Sequence, residues 1–246
     1  MLPIIPNDKE YPIKCEEYMH YIDNHRERVK TAFNKFFDFE TFTKIHNELV
    51  PINDDKMIKS LYEILSGYID RHDESKYSDE EFYGYRAYFY PTNIETEMMD
   101  NDSEYKQLVQ EEFDQAWLHH QRNNSHHPQF YLWVISYKDQ EELRIEYRTE
   151  MLQKPLEKFD MNVDTIIEML CDWAAMSKGD NDYNYLSWLC STSSRDERGM
   201  LSNRVKDIVF YISSIIYPDF KNYEGALKVA LYGEEQLKDL VNTKED

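Results

Sequence analysis

Asp70-Arg71-His72-Asp73-Glu74-Ser75-Lys76 is the most chemically specific stretch of the sequence, and the predicted fold is arranged around it. It follows a segment with helical periodicity, so we expect it to close a helix. A histidine beside an aspartate at a helix end can offer an imidazole nitrogen and a carboxylate oxygen to one metal ion. Lys76, three residues after Asp73, can meet a phosphate oxygen. The stretch predicts a metal site if further ligands occur elsewhere in the chain.

The composition predicts a folded and strongly acidic protein. Hydrophobic residues make up 41% of the 246 residues, and 20 tyrosines and 12 phenylalanines argue against disorder. With only 6 glycines and 8 prolines, no linker-like run divides the sequence, so we expect a single domain over residues 1–246. The formal net charge of -20 opposes binding to long nucleic acid but leaves a small phosphorylated ligand open.

Several features of the sequence favour a cytoplasmic protein. No apolar run reaches the ~18 residues of a membrane helix, and the first residues lack the basic region and apolar core of a signal peptide. Cys15, Cys171 and Cys190 are odd in number and far apart, which is typical of reduced thiols. We therefore expect a soluble cytoplasmic protein without a membrane partner, and the sequence leaves an oligomer open.

Hydrophobic periodicity predicts a mainly α-helical bundle. The predicted helices cover about residues 14–37, 39–49, 56–71, 80–90, 101–123, 165–177, 201–217 and 223–241. The last two, within residues 200–242, are expected to be scaffold. Residues 130–148 predict either a small β-hairpin inserted between the helices or a further helix.

The third predicted helix leads directly to the histidine and aspartate pair. Its predicted buried stripe comprises Met57, Ile58, Leu61, Ile64, Leu65 and Tyr68. His72 continues this stripe at helical spacing. We therefore expect the His72 side chain to face the interior.

A second group of histidines lies at the end of the predicted helix 101–123. Four of the eight histidines, His119, His120, His126 and His127, fall within nine residues. A purely structural segment seldom needs so many, because each buried imidazole requires hydrogen-bond partners. A solvated polar loop is the alternative. Further along the chain, Glu168 and Asp172 lie four residues apart and so share one face of a predicted helix.

The order of these groups resembles the HD-domain superfamily of metal-dependent phosphohydrolases. Three strings are similar to an uncharacterised HD-like family of phages and bacteria: His72-Asp73-Glu74-Ser75-Lys76 followed by Glu80-Glu81-Phe82, His120-x-x-x-Asn124-x-His126-His127-Pro128, and Glu168-Met169-Leu170-Cys171-Asp172-Trp173. The resemblance covers about residues 18–178, which it implies to be the core of a single HD-like helical domain.

The resemblance also implies roles for individual residues. The implied metal ligands are His25, His72, Asp73, His120, His126, His127 and Asp172, with His20 and His46 as rivals for the position of His25. Lys76 and Asn124 are the implied substrate contacts, and Asp73, Lys76 and Glu168 the implied catalytic residues, although Glu168 could equally be a surface glutamate. Ser75 replaces the glycine usual before the lysine, so the loop geometry can differ.

Imidazole and carboxylate donors without thiolate suit one or two divalent ions such as Mn, Fe, Co, Ni, Zn or Mg. The resemblance implies a metal-dependent phosphohydrolase acting on a small phosphorylated molecule, expected to be a nucleotide, in which a metal-activated water attacks phosphorus. Two other functions stay open, a di-iron oxygenase of the HD type and a non-catalytic module that binds a nucleotide or a partner protein. Iron content would distinguish an oxygenase from a phosphohydrolase. Catalytic turnover would distinguish a phosphohydrolase from a non-catalytic binding module.

Overall fold

The regular structure of the described chain is entirely helical. The structure, a computed structural model, describes residues 8–50, 52, 54–133, 160–177, 185–189 and 199–242. No strand occurs in these ranges, so the predicted mainly α-helical fold is confirmed. Among the same residues, no helix combines the length and the apolar character that crossing a membrane would require.

Most of the helices coincide closely with the predicted segments, whereas those at Asn93–Asn101 and Tyr185–Leu189 were not predicted. The helices are α1 (Tyr11–Phe36), α2 (Phe39–Leu49), α3 (Asp55–Asp70), a short 3-10 helix (Glu74–Tyr77), α4 (Asp79–Phe89), α5 (Asn93–Asn101), α6 (Ser103–Asn123), α7 (Phe130–Trp133), α8 (Val163–Met176), α9 (Tyr185–Leu189), α10 (Asn203–Ile216) and α11 (Phe220–Asn242). Of the two alternatives for residues 130–148, a further helix rather than a β-hairpin is observed for the first four residues, which form α7, and the rest of that segment lies outside the described residues.

The chain divides into two compact units. The first comprises Met1–Glu27 and Arg71–Asn124, and the second comprises Arg28–Asp70 and Ser125–Asp246. The expectation of one domain over the whole sequence stays a prediction.

In the first unit, α4 and α6 approach each other closely, and Gly84 permits this. A Cβ added at Gly84 would lie 2.5 Å from the carbonyl oxygen of Glu112 and 2.9 Å from the Cβ of Ala116. Any side chain at this position would therefore force the two helices apart. The small core beside this contact joins α1, α4 and α6 and contains Tyr18, Ile22, Tyr85 and Ala116.

A buried ion pair links α4 to α5 within the first unit. Two guanidinium nitrogens of Arg86 donate to the two Glu95 carboxylate oxygens, at 2.5 and 2.8 Å. Glu95 also completes a capping box with Thr92 at the start of α5. Because both buried charges are paired and hydrogen-bonded, the cost of removing them from water is offset, and α4 is fixed beside its neighbours.

The second unit has one larger hydrophobic core. It is built from the C-terminal part of α1 together with α2, α3, α8, α9, α10 and α11. Helix α8 is central to it, since ten of its residues are buried, among them Trp173 at 1% exposure. The Arg28 guanidinium donates to the carbonyl oxygens of Ala175 (2.8 Å) and Ser177 (3.0 Å), which satisfies carbonyl groups at the C-terminal end of α8.

The buried face of α3 differs from the predicted stripe. Met57, Ile64 and Tyr68 are 52%, 51% and 50% exposed, whereas the buried residues are Ile58, Leu65 and Ile69. His72 is nevertheless buried, as predicted, with 1% of its surface exposed. His72 is not buried as part of the helical stripe, because α3 ends at Asp70. A turn, rather than a continuing helix, directs its side chain.

We expect Gly84→Ala to lower the free energy of unfolding by about 1–3 kcal/mol, because the added methyl group overlaps the backbone of α6. Gly67→Ala is the matched control: an added Cβ at Gly67, within α3, has nothing within 4 Å. Alanine at this position should raise stability by about 0.5–1 kcal/mol. Urea denaturation measures both changes, and equal effects in the two variants would contradict the close packing at Gly84.

Candidate metal centre

The turn after α3 sets the position of Asp73. The Glu74 amide donates to the Arg71 carbonyl oxygen, and the Lys76 amide donates to that of Asp73, both at 3.0 Å. Asp73 itself has φ 56° and ψ 22°, the left-handed region. Most residues with a Cβ avoid this region at a cost of roughly 1–2 kcal/mol, and aspartate and asparagine tolerate it best. The conformation turns the Asp73 carboxylate back into the first unit, where it is 2% exposed.

Three imidazoles from three different parts of the first unit surround this carboxylate. His25 Nε2 lies 3.6 Å from Asp73 Oδ2, and His72 Nε2 lies 3.6 Å from Oδ1. His120 Nε2, from the last turn of α6, lies 3.3 Å from the same Oδ1. All three histidines are buried. We call Asp73, these three histidines, Lys76 and Glu81 the Asp73 cluster.

The spacing within the Asp73 cluster fits ligands of a shared ion better than hydrogen bonds. Separations of 3.3 to 3.6 Å exceed the ordinary length of a strong nitrogen to oxygen hydrogen bond. Two ligand atoms each about 2.1 Å from one ion, at angles of about 90–110°, would lie roughly 3.0–3.4 Å apart. Ligand atoms of His25, His72 and Asp73 all fall within 4.8 Å of one another, so these residues could hold a metal ion.

Glu81 on α4 orients the His120 imidazole. His120 Nδ1 lies 2.9 Å from one Glu81 oxygen, and His119 Nδ1 lies 2.8 Å from the other. Burial by itself would raise the pKa of the Glu81 carboxyl, but the hydrogen bonds from His120 and His119 outweigh it and hold that pKa below its ordinary value. Burial lowers the pKa of the His120 imidazole, despite the opposing charge of Asp73. An ionised Glu81 therefore accepts a hydrogen bond from the Nδ1–H of a neutral His120.

This tautomer determines what the other ring nitrogen can do. With its proton on Nδ1, His120 presents a lone pair at Nε2, and the nearest Asp73 oxygen, 3.3 Å away, is also an acceptor. Two acceptors facing each other repel unless a cation lies between them. A carboxylate that fixes a histidine for metal binding in this way is a common arrangement in metal sites. The donor set therefore fits a divalent ion.

Lys76 supplies the positive charge of the Asp73 cluster. Its ammonium nitrogen lies 2.6 Å from Asp73 Oδ2, and its side chain is only 14% exposed. The same nitrogen lies 5.7 Å from the centre of the Tyr85 ring. The structure thus places the predicted phosphate-binding lysine directly beside the predicted central ligand.

Ser75 and Asn124 lie behind His120. The Asn124 side-chain amide donates to the Ser75 hydroxyl at 2.8 Å and to the His120 carbonyl oxygen at 2.9 Å. The serine that stands in place of glycine in the loop is therefore part of a hydrogen-bonded support for α6. Asn124 lies beside the histidine, as expected, and its predicted contact with substrate stays a prediction.

The remaining predicted residues belong to the second unit. His126 Nδ1 lies 3.3 Å from a Glu168 carboxylate oxygen, and the His126 and His127 ring centres are 4.3 Å apart. Asp172 lies one turn after Glu168 on α8 and is half-buried. The pairing of His126 with Glu168 gives that glutamate a defined partner. Participation of these residues in one site with Asp73 stays a prediction.

The structure separates His25 from its two rivals. His20 is exposed, and His46 lies in the second unit, where its Nε2 is 2.8 Å from Asp164 Oδ1. Only His25 of the three lies beside Asp73. His25 lies on α1 two turns after Tyr18, which belongs to the small core of the first unit.

Glu81 is the residue whose role the sequence did not reveal. It belongs to the string Glu80-Glu81-Phe82 that carries the resemblance, but it had no assigned function. The available signal was its position in an aromatic helix, four residues before Tyr85 and therefore on the same face. A glutamate on a buried aromatic face requires a partner, and here the partners are two histidines.

The fold and the cluster define a mainly α-helical protein with buried histidine and aspartate side chains that could hold a metal ion. The chain belongs to a family of unknown function, DUF5662, whose family model matches residues 14–215. Comparison with curated proteins and with solved structures finds no match. The family match includes every residue of the Asp73 cluster, and it assigns no activity.

We expect Asp73→Asn to lose bound transition metal while the chain stays folded, because asparagine accepts the left-handed backbone but lacks the ligand charge. Asp73→Ala would add backbone strain to the loss of the ligand. The matched control is Asp164→Asn, which removes a carboxylate from another buried histidine, His46. Elemental analysis of protein purified without a metal-affinity tag gives the answer, and full metal content in Asp73→Asn would remove Asp73 from the site.

Glu81→Gln should weaken metal binding about 10- to 100-fold, because the neutral amide no longer fixes the proton on His120 Nδ1. Its neighbour Glu80 is exposed, so Glu80→Gln is the control. Competition with a chelator of known affinity measures both variants. If they retain metal equally well, Glu81 does not orient a ligand.

Proposed function

We propose that this protein is a metal-dependent phosphohydrolase that acts on a small phosphorylated molecule, most simply a nucleotide. One observation carries the proposal: three imidazoles and the Lys76 ammonium converge on the two oxygens of one buried carboxylate. This combination provides ligands for a hard or borderline divalent ion and, beside them, a cation for a phosphate oxygen. The resemblance to the HD-domain superfamily supports the same reading.

The charges of the cluster suit an anionic substrate. Asp73 and Glu81 carry negative charge, and Lys76 carries one positive charge. With a divalent ion bound, the cluster would have a local excess of positive charge, even though the whole chain is strongly acidic. Such a local field acts at short range, where salt screens it little. Long nucleic acid remains a poor substrate on this proposal, because the surrounding surface repels it.

Each residue of the Asp73 cluster has a part in this proposal. A bound divalent ion would polarise a phosphoryl oxygen and lower the pKa of a water molecule. His25, His72, His120 and Asp73 would hold the ion, and Glu81 would keep His120 in the tautomer that exposes Nε2. Lys76 would leave or share its contact with Asp73 to meet a phosphate oxygen. A catalytic role of Glu168, whose carboxylate lies 3.3 Å from His126 Nδ1, stays a prediction.

The experiment that tests the function is a screen of nucleotides and other small phosphate compounds with Mn or Co added, with release of phosphate as the readout. Hydrolysis by the parent protein that is lost in Asp73→Asn would support the proposal. Stoichiometric iron with a coloured mixed-valence state and no phosphate release would favour an oxygenase of the HD type. Nucleotide binding without turnover under any metal would favour a non-catalytic module.

Lys76→Gln should leave metal content unchanged and weaken phosphate binding about tenfold or more, because a charged hydrogen bond to the anion is lost. Lys30→Gln is the control: Lys30 makes a similar 2.7 Å contact with Asp70, but on the surface, with 48% of its side chain exposed. Calorimetric titration with inorganic phosphate measures both. Unchanged affinity in Lys76→Gln would remove the lysine from the substrate site.

A further inference from the structure

Two tyrosines of the first unit have hydroxyl groups buried beside the Asp73 cluster. Tyr18 on α1 is 1% exposed, and Tyr85 on α4 is 5% exposed. Their rings stack with centres 6.3 Å apart and planes inclined by 18°. The remaining rings around them come from α1, α4 and α6, so both side chains are held firmly in place.

Neither hydroxyl has a hydrogen-bond partner among the described residues. A buried O–H without an acceptor destabilises a protein, so most such groups in folded proteins are satisfied. Phenylalanine would fill the same space without this cost. The presence of tyrosine at both positions therefore calls for a partner outside the described chain.

Tyr18 and Tyr85 each share a helix face with a residue of the Asp73 cluster. Tyr18 precedes His25 by two turns of α1, and Tyr85 follows Glu81 by one turn of α4. The Tyr85 ring meets the edge of the His120 ring at 6.0 Å between centres. Burial raises the pKa of both phenols, and the charges of Asp73 and Glu81 raise it further. A phenol keeps its proton at neutral pH, so both buried hydroxyls are available as hydrogen-bond donors.

Lys76 places a positive charge close to the Tyr85 ring. The Lys76 ammonium lies 5.7 Å from the centre of the Tyr85 ring and 2.6 Å from Asp73 Oδ2. The Tyr85 ring is therefore close to an ammonium group, and the Tyr18 ring stacks on the Tyr85 ring. Donors without acceptors, gathered around a cation, match an anion that carries several oxygen atoms.

We infer that the hydroxyls of Tyr18 and Tyr85 donate hydrogen bonds to the oxygen atoms of a phosphoryl group held beside Lys76. The inference rests on the proposed function for the identity of the anion. On this assignment the tyrosines bind and orient the phosphoryl group, and they take no part in holding the metal ion.

The test is calorimetric titration with inorganic phosphate of the full chain, once loaded with Mn and once free of metal. We expect Tyr18→Phe and Tyr85→Phe each to weaken phosphate binding about tenfold, the value of one lost hydrogen bond to a charged group. Metal content should stay unchanged in both variants. If one variant fails to fold, the other carries the test.

Tyr105→Phe is the matched control. Tyr105 is also 5% exposed, and its hydroxyl also lacks an acceptor among the described residues, but it packs in a separate small core with Ala87 and Val109. Its phosphate affinity should equal that of the parent. An equal loss of affinity in Tyr105→Phe would show a general structural effect and overturn the assignment.

Thermal unfolding without phosphate separates ligand binding from a purely structural role. Removing an unsatisfied hydroxyl should leave the Tm of Tyr85→Phe and Tyr18→Phe equal to or above that of the parent. Variants that are less stable without phosphate yet bind it as tightly as the parent would overturn the inference, because the hydroxyls would then serve the fold alone. Absence of phosphate binding by the parent in both forms would overturn it as well.

These outcomes also distinguish the inference from the proposed function. A parent that binds metal, with variants of unchanged phosphate affinity, would overturn the subsite and leave the metal-dependent function standing. A parent that binds no metal but loses phosphate affinity in the phenylalanine variants would support the subsite and overturn the proposed function.

Discussion

The carboxylate of Asp73 is the group on which the first unit of this protein depends. A buried carboxylate is costly unless positive charge and hydrogen-bond donors compensate it. Here the compensation comes from Lys76, at 2.6 Å, and from the imidazoles of His25, His72 and His120 at 3.3 to 3.6 Å. The turn after α3 holds Asp73 in a left-handed conformation, so a strained residue lies at the centre of the cluster, as often occurs at functional sites.

Two of the histidine and carboxylate arrangements show why convergence, rather than pairing, indicates a site. In the second unit, one imidazole meets one carboxylate: His46 Nε2 lies 2.8 Å from Asp164 Oδ1. In the first unit, Glu81 satisfies one nitrogen of His120 and leaves the other directed at Asp73. The imidazoles of His25 and His72 approach the same carboxylate, and a cation shared by these atoms would compensate all of them together. The hydroxyls of Tyr18 and Tyr85 are buried without a hydrogen-bond partner among the described residues.

Most of the helices could be predicted from the sequence, because helix formation depends on local signals. Asp38 and Asp102 cap α2 and α6 through their side chains, and Asn162 caps α8 in the same way. Periodicity failed where two faces of a helix were similarly apolar. In α3, Met57, Ile64 and Tyr68 are exposed because the burial of each face depends on which neighbours pack against it, and the sequence does not contain that information.

The sequence by itself determined the local part of the candidate site. His72, Asp73 and Lys76 lie within five residues, so one turn brings them together without help from the rest of the chain. Only the tertiary structure placed His25, rather than His20 or His46, beside Asp73. Only it placed Glu81 and Tyr85 beside His120, and Tyr18 against Tyr85. These side chains come from separate helices, and their distances are set by the packing of α1, α4 and α6, including the close contact at Gly84. Contacts between residues far apart in the sequence arise from that packing, and for this reason composition and spacing could suggest the metal site but not its second layer of residues.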